Sequence, residues 1–533
     1  MVPILAMSMI LACGQAPEAG PPVVHASLVS DAPRVDGVLE EPAWQSAHVV
    51  GGFRQREPNE GAPATEATEV RVVYTRDALF IGIMAFDRDP GRVLARVLRR
   101  DRLIKAGSDG AYEFAGDDTV AIVIDPFQDH RNAFLFATNA NGAEFDALVT
   151  DESAVLNADW RGVWKVAARR TRDGWSAELA IPFRTLRYPQ TSEPARWGFN
   201  AERVIRRKNE HTLWAGWQRA GGGLHRVSRA GLVDDLAGLP RSSLHAEVKP
   251  YGLVGGVRDT SSTVREWQHL WRVGGDLKWQ PVPGLTLDAT ARPDFTQVES
   301  DQQVINLTRF ELYFPEKREF FLENAGVFEF GTRGSYETPP FLLFFSRRIG
   351  AGPDGGEVPV LGGTRLTGRA GRQTIGVLAV VTEDAAGQPL TSFAVARIKR
   401  DVGRRGYVGA MAADRRTSAA ASTDAGIDGS LWPTAHLNVQ GFLARTKASS
   451  RPGLAGRVAA EYSGDPWYAY GEYLVVGRDA QTAMGFVTRT DMRRSSAKVQ
   501  YTVRPHLAGV RQVSLYAGGK YLTRIDGKPQ DGN

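Results

Sequence analysis

The sequence predicts an all-β protein in which an N-terminal β-sandwich precedes an antiparallel transmembrane β-barrel. Short apolar runs separated by turn signals fill the first part of the chain, which indicates strands. In the second part, segments of about ten residues alternate between apolar and polar side chains, as barrel strands do. No later stretch approaches the ~18 consecutive apolar residues that a membrane helix needs. The 57 glycines favour turns and strands over helices.

Residues 1–26 are predicted to be a signal peptide and a short linker. The chain is apolar to Ala12 and then small and polar, as in the cleavage zone of a signal peptide, although the basic start is missing. Cys13 is the single cysteine and follows "ILA", so a lipoprotein site is the alternative to an ordinary cleaved signal. We expect an exported protein whose mature part contains no disulfide and no thiol metal site.

The overall composition is that of an ordinary folded protein. Apolar residues make up 42% and charged residues 23% of the chain. The formal net charge of +5 is a weak excess over 533 residues. It gives no case for nucleic acid as a partner.

Residues 27–235 are predicted to form the β-sandwich. Turn signals at Asp36-Gly37 and Asn141-Gly142 separate strand-like runs, and Trp44 is a candidate core anchor. Only "RVLARVLRRDRLI", from Arg92 to Ile104, has helical spacing, and it is short. Many short strands with turn signals indicate a sandwich.

Residues 244–533 are predicted to form the barrel. The runs "WQHLWRVGGDLKWQ", "LTLDATARPD" and "AKVQYTVR" alternate with a period of two. One face of such strands would meet lipid and the other a wet lumen, whereas a soluble sheet, which also alternates, is the alternative. The chain stops at "GKPQDGN" and not on an aromatic strand end. We therefore expect a barrel truncated at its C-terminus, because an open barrel would leave unpaired edges in lipid.

Two long stretches resemble known families. "DGVLEEPAW", "DDTVAIVIDPFQDHRNAFLFATNANGAEFDA" and "WGFNAERVIRR" resemble a family 9-like carbohydrate-binding module. "RPDFTQVESDQQVINLTRFELYFPEKREFFLENAGVFEFG", followed by "FFSRRIG", resembles the start of an uncharacterised barrel domain of bacterial outer-membrane proteins. The resemblance implies a sandwich of sugar-binding ancestry joined to an outer-membrane barrel of unknown function. Modules of this family accompany xylanases, bind sugar chain ends between Trp rings, and often hold structural calcium.

Around residues 301–335 the barrel pattern is interrupted by a segment rich in both aromatic and charged residues. A strand facing lipid would not tolerate "EKRE" at 316–319, but these residues after Pro315 suit the first turn of a helix. We predict a plug or rim inserted in the barrel mouth. The alternative is a loop that happens to be rich in Phe.

Sugar binding requires an aromatic platform, so the Trp residues of the sandwich are the candidates. Trp160 and Trp164 stand four apart at a possible strand entrance, and Trp214 and Trp217 follow the polar stretch "RRKNEHT". The latter two resemble in position a stacking Trp of the binding family. For all four, core packing is the default.

Four aspartates on adjacent segments are candidate ligands of a structural calcium ion, which needs six to eight oxygens. Capping of turns and strand ends is the alternative explanation. The candidates are Asp117, Asp118, Asp125 and Asp129.

No motif in the sequence assigns an enzyme. The patterns GxSxG and HExxH and a phosphate-binding Walker loop are missing from the sequence, and its nine His have no ligand spacing. The leading hypothesis is an outer-membrane protein whose periplasmic module binds glycan and serves polysaccharide catabolism. Its partners would be an oligosaccharide and outer-membrane lipid. The alternatives are a transport or assembly pore gated by the sandwich, and an O-glycosyl hydrolase suggested by family association alone.

Overall fold

The computed structural model is built almost entirely of β-strands. The predicted signal region with Cys13, and parts of the predicted insertion, lie outside the residues that the structure describes. None of the described helices is long and apolar enough to cross a membrane. The described residues are 20–102, 104–106, 112–114, 116–150, 152, 156–158, 160–186, 188, 194–220, 223–240, 246–258, 267–282, 284–293, 310–314, 316–322, 324–331, 339–352, 358–385, 387–403, 405–447, 451–505, 510 and 512–529.

The first part of the chain contains one short helix, α1 (Pro42–Ser46), and many short strands. These strands are β1 (Val23–His25), β2 (Ser27–Leu28), β3 (Val49–Val50), β4 (Arg54–Glu57), β5 (Thr68–Tyr74), β6 (Ala78–Phe86), β7 (Ile104–Ala106), β8 (Tyr112–Phe114), β9 (Thr119–Asp125), β10 (Ala133–Asn139), β11 (Phe145–Val149), β12 (Leu156–Asn157), β13 (Lys165–Thr171), β14 (Gly174–Pro182), β15 (Ala195–Ile205), β16 (Glu210–Leu213) and β17 (Gly231–Leu236).

Most of these strands form two sheets that share one hydrophobic core. The first has the order β1-β17-β15-β9-β10-β11-β12, with β16 joining β15 to β4. The second has the order β13-β14-β6-β5-β2, with β3 beside β5. Side chains from both sheets, including Ile81, Trp175 and Trp197, are buried between them. We call this unit the sandwich.

The segment with helical spacing, Arg92 to Ile104, does not form an α-helix. Beyond a single 3₁₀ turn at Pro90–Arg92, residues 93–98 carry no regular structure. The amides of Arg96 and Val97 donate to the carboxylate of Asp117, both at 2.9 Å. These hydrogen bonds to a neighbouring segment replace the i to i−4 bonds that a helix would need.

The second part of the chain contains longer strands and one short helix, α2 (Glu319–Leu322). The strands are β18 (Ala246–Arg258), β19 (Trp267–Val282), β20 (Leu285–Ala291), β21 (Phe341–Leu342), β22 (Val360–Ala370), β23 (Gln373–Thr382), β24 (Thr391–Val402), β25 (Gly406–Arg416), β26 (Ala421–Leu431), β27 (Leu437–Thr446), β28 (Gly453–Ser463), β29 (Trp467–Val476), β30 (Phe486–Val487), β31 (Met492–Val503) and β32 (Val513–Thr523).

Thirteen of these strands form a single antiparallel sheet, which we call the long sheet. Its order is β18-β19-β20-β22-β23-β24-β25-β26-β27-β28-β29-β31-β32, so each strand pairs with its neighbour in the chain except where the short strands β21 and β30 intervene. Among the described strands, β18 and β32 stand at the two ends and do not pair with each other. The predicted antiparallel pairing of these strands is confirmed.

The described residues between β20 and β22, which we call the insert, pack on one face of the long sheet. Its short helix α2 begins at Glu319, within the stretch predicted to start a helix. Phe321, Phe328 and Phe330 of the insert share a hydrophobic cluster with Leu378 and Phe393 of the long sheet. The aromatic residues of the insert are therefore packing residues that cover this face of the sheet.

Candidate functional site

Two of the four candidate Trp residues lie inside the sandwich core. Trp164 is buried, with its Nε1 3.2 Å from Asp146 and its ring centroid 5.1 Å from that of Phe136. Trp214 is also buried, with its ring 5.9 Å from that of Phe199. Their placement favours the packing alternative over a sugar platform.

The other two candidates keep exposed surface. Trp160 is half-buried and contacts the ring of Phe134, with centroids 5.2 Å apart. Trp217 is half-buried beside Gly61, and the guanidinium of Arg54 lies 5.9 Å from its ring centroid. The two rings pack against different hydrophobic clusters, so each would be a separate platform.

The carboxylates of Asp117 and Asp118 are occupied by backbone amides. The amide of Arg206 donates to Asp118 at 2.7 Å, as that of Leu94 does at 3.2 Å. Burial raises the pKa of Asp118 above its ordinary value, and the hydrogen bonds from these amides oppose that shift. Together the carboxylates of Asp117 and Asp118 accept amides from residues 94–97, the segment with helical spacing, and hold it in a non-helical conformation.

Asp125 and Asp129 shape the loop after β9 in the same way. The carboxylate of Asp125 accepts the amide of His130 at 2.9 Å, and that of Asp129 accepts the amide of Arg131 at 2.8 Å. Burial raises the pKa of Asp125 well above its ordinary value, and the nearby Asp129 carboxylate raises it further. Both residues act as turn caps.

The four aspartates do not fit a calcium ion. Among the residues that the structure describes, three or more ligand atoms come within 4.8 Å of one another only at His25, Asp234 and Asp235. None of the four predicted residues belongs to that group. Their carboxylate oxygens accept hydrogen bonds from backbone amides, and a metal ion would have to displace these amides. This arrangement favours the alternative that the aspartates cap turns and strand ends.

The loop capped by Asp129 joins the sandwich to the long sheet. Arg131 Nη2 lies 2.9 Å from Asp401 at the end of β24, and Arg131 Nη1 donates to the carbonyl of Gly406 at 3.3 Å. Arg369, at the end of β22, pairs with both Asp401 and Asp129. We call this contact zone between the sandwich and the strand connections of the long sheet the junction.

Further ion pairs extend the junction. Arg405 pairs with the buried Glu152 at 2.8 Å, and its guanidinium carbon lies 3.8 Å from the ring centroid of Trp432. Arg219 lies 4.0 Å from Asp465. Partners such as Glu152 and Arg405 are far apart in the chain, so no local sequence pattern could have paired them.

The buried face of the long sheet carries paired charges. Arg397 reaches Asp428 at 2.6 Å, and neither side chain is exposed. Two further buried pairs lie on this face, Arg365 with Asp288 at 2.8 Å and Arg457 with Glu472 at 2.6 Å.

Polar contacts anchor the insert to these charges. The amide of Gly331 donates to Asp428 at 2.9 Å, and Arg365 donates to the carbonyl of Phe320. A cavity of about 110 Å³ remains between the insert and the sheet, with Glu316 and Arg365 among its lining residues. The insert is thus held by backbone groups that face buried arginines and carboxylates.

The opposite face of the long sheet is exposed and apolar. On β24 the side chains alternate, so that Arg397 and Lys399 are buried while Ala394, Ala396 and Ile398 are exposed. Large apolar side chains continue this exposed face on other strands: Val254, Trp271, Val377, Val408, Ile427, Leu443, Leu454, Val458, Tyr473 and Leu515.

Comparisons with known proteins give one family match and several similar solved structures. The family model "Domain of unknown function (DUF5916)" matches residues 248–368. No curated protein matches this sequence. The chain is similar to a family 9 carbohydrate-binding module from Caldicellulosiruptor kristjanssonii in complex with cellotriose, with 15% identity and a TM-score of 0.28. That match covers 42% of this chain and 100% of the module.

The chain is also similar to two other solved structures. A putative carbohydrate-binding protein from Bacteroides uniformis has 12% identity and a TM-score of 0.30, and the match covers 40% of this chain and 98% of that one. A BenF-like porin from Pseudomonas fluorescens has 9% identity and a TM-score of 0.26, and the match covers 76% of this chain and 92% of that one.

Proposed function

We propose that this chain is an outer-membrane protein whose long sheet lies in the bilayer as barrel wall and whose sandwich binds glycan in the periplasm. The carrying observation is the polarity of the long sheet. Val377 and Leu443 are exposed, whereas the charges of Arg397 and Asp428 are buried. A soluble antiparallel sheet has the reverse arrangement, while a barrel wall places apolar side chains against lipid and polar ones inside.

The lengths of the strand connections support the periplasmic position of the sandwich. Five of the six connections at the junction end have two to five residues, namely 283–284, 371–372, 403–405, 432–436 and 464–466, and the sixth is 504–512. Connections at the other end include 383–390 and 477–491. Outer-membrane barrels have short periplasmic turns and longer extracellular loops, so the junction end would face the periplasm.

Fractionation of cells that express the full chain tests the membrane location. We expect the protein in the outer-membrane fraction, resistant to extraction by alkaline carbonate and released by detergent. Recovery in the supernatant of gentle lysis without detergent would overturn the proposal.

The glycan part of the proposal depends on Trp160 and Trp217. Each is a half-buried ring that could stack on the C–H face of a sugar, and Arg54 beside Trp217 could bind hydroxyl groups. A link to polysaccharide catabolism would follow if the bound glycan is a breakdown product that crosses the outer membrane.

Calorimetry of the full chain in detergent tests glycan binding, with cellotriose as the first probe. We expect Trp217→Ala or Trp160→Ala to weaken binding about two- to tenfold, since a stacking contact contributes about 0.5–1.5 kcal/mol beyond area burial. Trp271→Ala is the matched control, because Trp271 is an exposed ring on the long sheet. Failure of every tested glycan to bind would remove this part of the proposal.

The junction supports a second function, in which the sandwich gates the lumen. Ion pairs such as Arg131 with Asp401 join the sandwich to the connections that would surround the periplasmic opening. Conductance in planar bilayers distinguishes this function. Asp401→Asn should raise the frequency of open events if the sandwich gates, and should leave conductance unchanged if the sandwich only binds.

A further inference from the structure

Two arginines at the junction lack the partners that every other buried cation described above has. The side chains of Arg56 on β4 and Arg226 before β17 are half-buried, and the Nε of each is buried without a hydrogen-bond partner. Neither guanidinium forms an ion pair with any residue that the structure describes. A half-buried cation without a counter-charge is costly, so such a pair is a candidate anion site.

Both guanidinium groups lie close to the half-buried side chain of His225. A Cβ added at Gly223, where φ is +118°, would lie 3.3 Å from His225 Cε1 and 3.7 Å from Arg56 Cζ. Burial, together with the charges of Arg226 and Arg56, holds the pKa of His225 well below its ordinary value. His225 is therefore neutral and adds no positive charge, and the glycine leaves room beside the Arg56 guanidinium.

One aromatic ring lies near Arg226, and another lies near Arg54, which neighbours Arg56 on β4. Arg226 Cζ lies 5.8 Å from the ring centroid of Trp432, whose ring also contacts Arg405. Glu152 forms its ion pair with Arg405 and acts on Arg226 through its charge alone, without an ion pair. Near Arg56, the guanidinium of Arg54 lies over the ring of Trp217. Arg54 and Arg56 are two apart on β4, so their side chains leave the strand on one side, roughly 7 Å apart.

From this arrangement we infer that the sandwich binds an acidic glycan, with the anionic group of one sugar held between Arg56 and Arg226 and a neighbouring ring on Trp217. Guanidinium groups bind carboxylate and phosphate oxygens through paired N–H donors. A neutral sugar carries no such anionic group. The inference rests on the proposed glycan function and specifies its ligand. It also places the ligand at the junction, where the sandwich meets the long sheet.

The test is calorimetry of the full chain in detergent with three probes at low salt. A hexuronate oligosaccharide carries carboxylates, a sugar phosphate carries a phosphate, and a neutral oligosaccharide of equal length carries neither. We expect at least one acidic probe to bind about tenfold or more tightly than the neutral one. The two acidic arms identify which anion the site takes.

Arg226→Gln and Arg56→Gln should each lower the affinity for the acidic probe by about tenfold to a hundredfold and leave the affinity for the neutral probe unchanged. Arg172→Gln is the matched control, because Arg172 is exposed at the turn between β13 and β14 and its loss changes the net charge equally. Without ligand, the two site variants should be about as heat-stable as the wild type, since neither guanidinium has an ion pair to lose among the described residues and the Trp432 ring lies 5.8 Å from Arg226.

Equal affinity for acidic and neutral probes would overturn this inference and leave glycan binding intact. An acidic preference that survives in both site variants would also overturn it. If no probe binds the wild type, the glycan function itself fails together with the acidic ligand. A loss of heat stability in Arg226→Gln without ligand would show a structural role and contradict the assignment of a free anion site.

Discussion

The sandwich and the long sheet use the same alternation of side chains with opposite polarity. In the sandwich, the sheets enclose large apolar side chains such as Ile81 and Trp175, which are fully buried. In the long sheet, the buried face carries Arg397 and Asp428, and apolar side chains such as Val377 are exposed on the opposite face. A period of two therefore identifies a strand, whereas the chemistry of each face identifies the solvent that it meets.

Buried charged side chains occur in both regions but have different structural roles. In the sandwich, Arg203 donates to the carbonyl oxygens of Ala67 at 2.8 Å and Phe86 at 2.6 Å, so it ties together strands of the two sheets. Its burial lowers its pKa to about 10. In the long sheet, the buried charges repeat from strand to strand and hold the insert. Arg203 is thus a structural clamp between two sheets, whereas the series of buried charges makes one face of the long sheet polar.

Among substitutions that test this difference between the two regions, we expect the largest loss of stability at the Arg397–Asp428 pair. Arg397→Met would leave the buried carboxylate of Asp428 without its cation, which costs about 3–5 kcal/mol in unfolding free energy. Urea unfolding in lipid vesicles, followed by gel mobility, measures the change. Arg400→Met on the same strand is the control, because Arg400 is exposed. Equal, small effects of the two variants would mean that the enclosed face is wet and tolerant.

The exposed face gives the next largest effect. Val377 lies in the middle of β23 and is 44% exposed. Val377→Lys should destabilise the protein in vesicles by about 2–4 kcal/mol, the depth-dependent cost of a lysine against the bilayer midplane. Val377→Leu should be neutral. A lysine that is equally neutral would indicate that this face meets water, and the contrast between the two regions would then disappear.

Local patterns predicted the strands and their alternation but not the roles of individual polar residues. The dyad repeat around Trp271 and Leu287 indicated an antiparallel sheet because each strand carries that pattern by itself. By contrast, Asp117 and Asp129 looked like metal ligands because their hydrogen-bond donors, backbone amides of other turns, cannot be read from sequence. Trp214 and Trp217 are three apart, yet only the fold decides that the first is buried and the second half-buried.

The junction offers a test of how far the two regions depend on each other. Asp401→Asn removes the counter-charge of Arg131, whose side chain is 4% exposed, and of Arg369. We expect a loss of about 1.5–3 kcal/mol, the contribution of hydrogen bonds to charged groups. Limited proteolysis should then release the sandwich faster, while the long sheet keeps its gel mobility. If the long sheet loses its folded gel mobility at the same time as the sandwich becomes sensitive to protease, the two regions unfold as one unit.

The smallest expected effect lies at the opposite edge of the sandwich, in the group formed by His25, Asp234 and Asp235. His25 Nδ1 lies 2.8 Å from a carboxylate oxygen of each aspartate, and His25 is 53% exposed. The hydrogen bond with Asp235, followed by the charge of Asp234, raises the pKa of His25 above 6.5.

Because the folded-state pKa is the higher one, this pairing stabilises the sandwich fully below pH 6.5 and is lost as the pH rises through the folded value. Thermal unfolding of the full chain, followed by near-ultraviolet circular dichroism of the sandwich Trp residues, should show a slightly lower midpoint at pH 9 than at pH 6. The difference should stay below about 1 kcal/mol, since exposed pairs are screened by solvent. His25→Gln should remove it, and so should Asp235→Asn in large part. A midpoint that instead rises across this range in the wild type, relative to His25→Gln, would contradict the pairing.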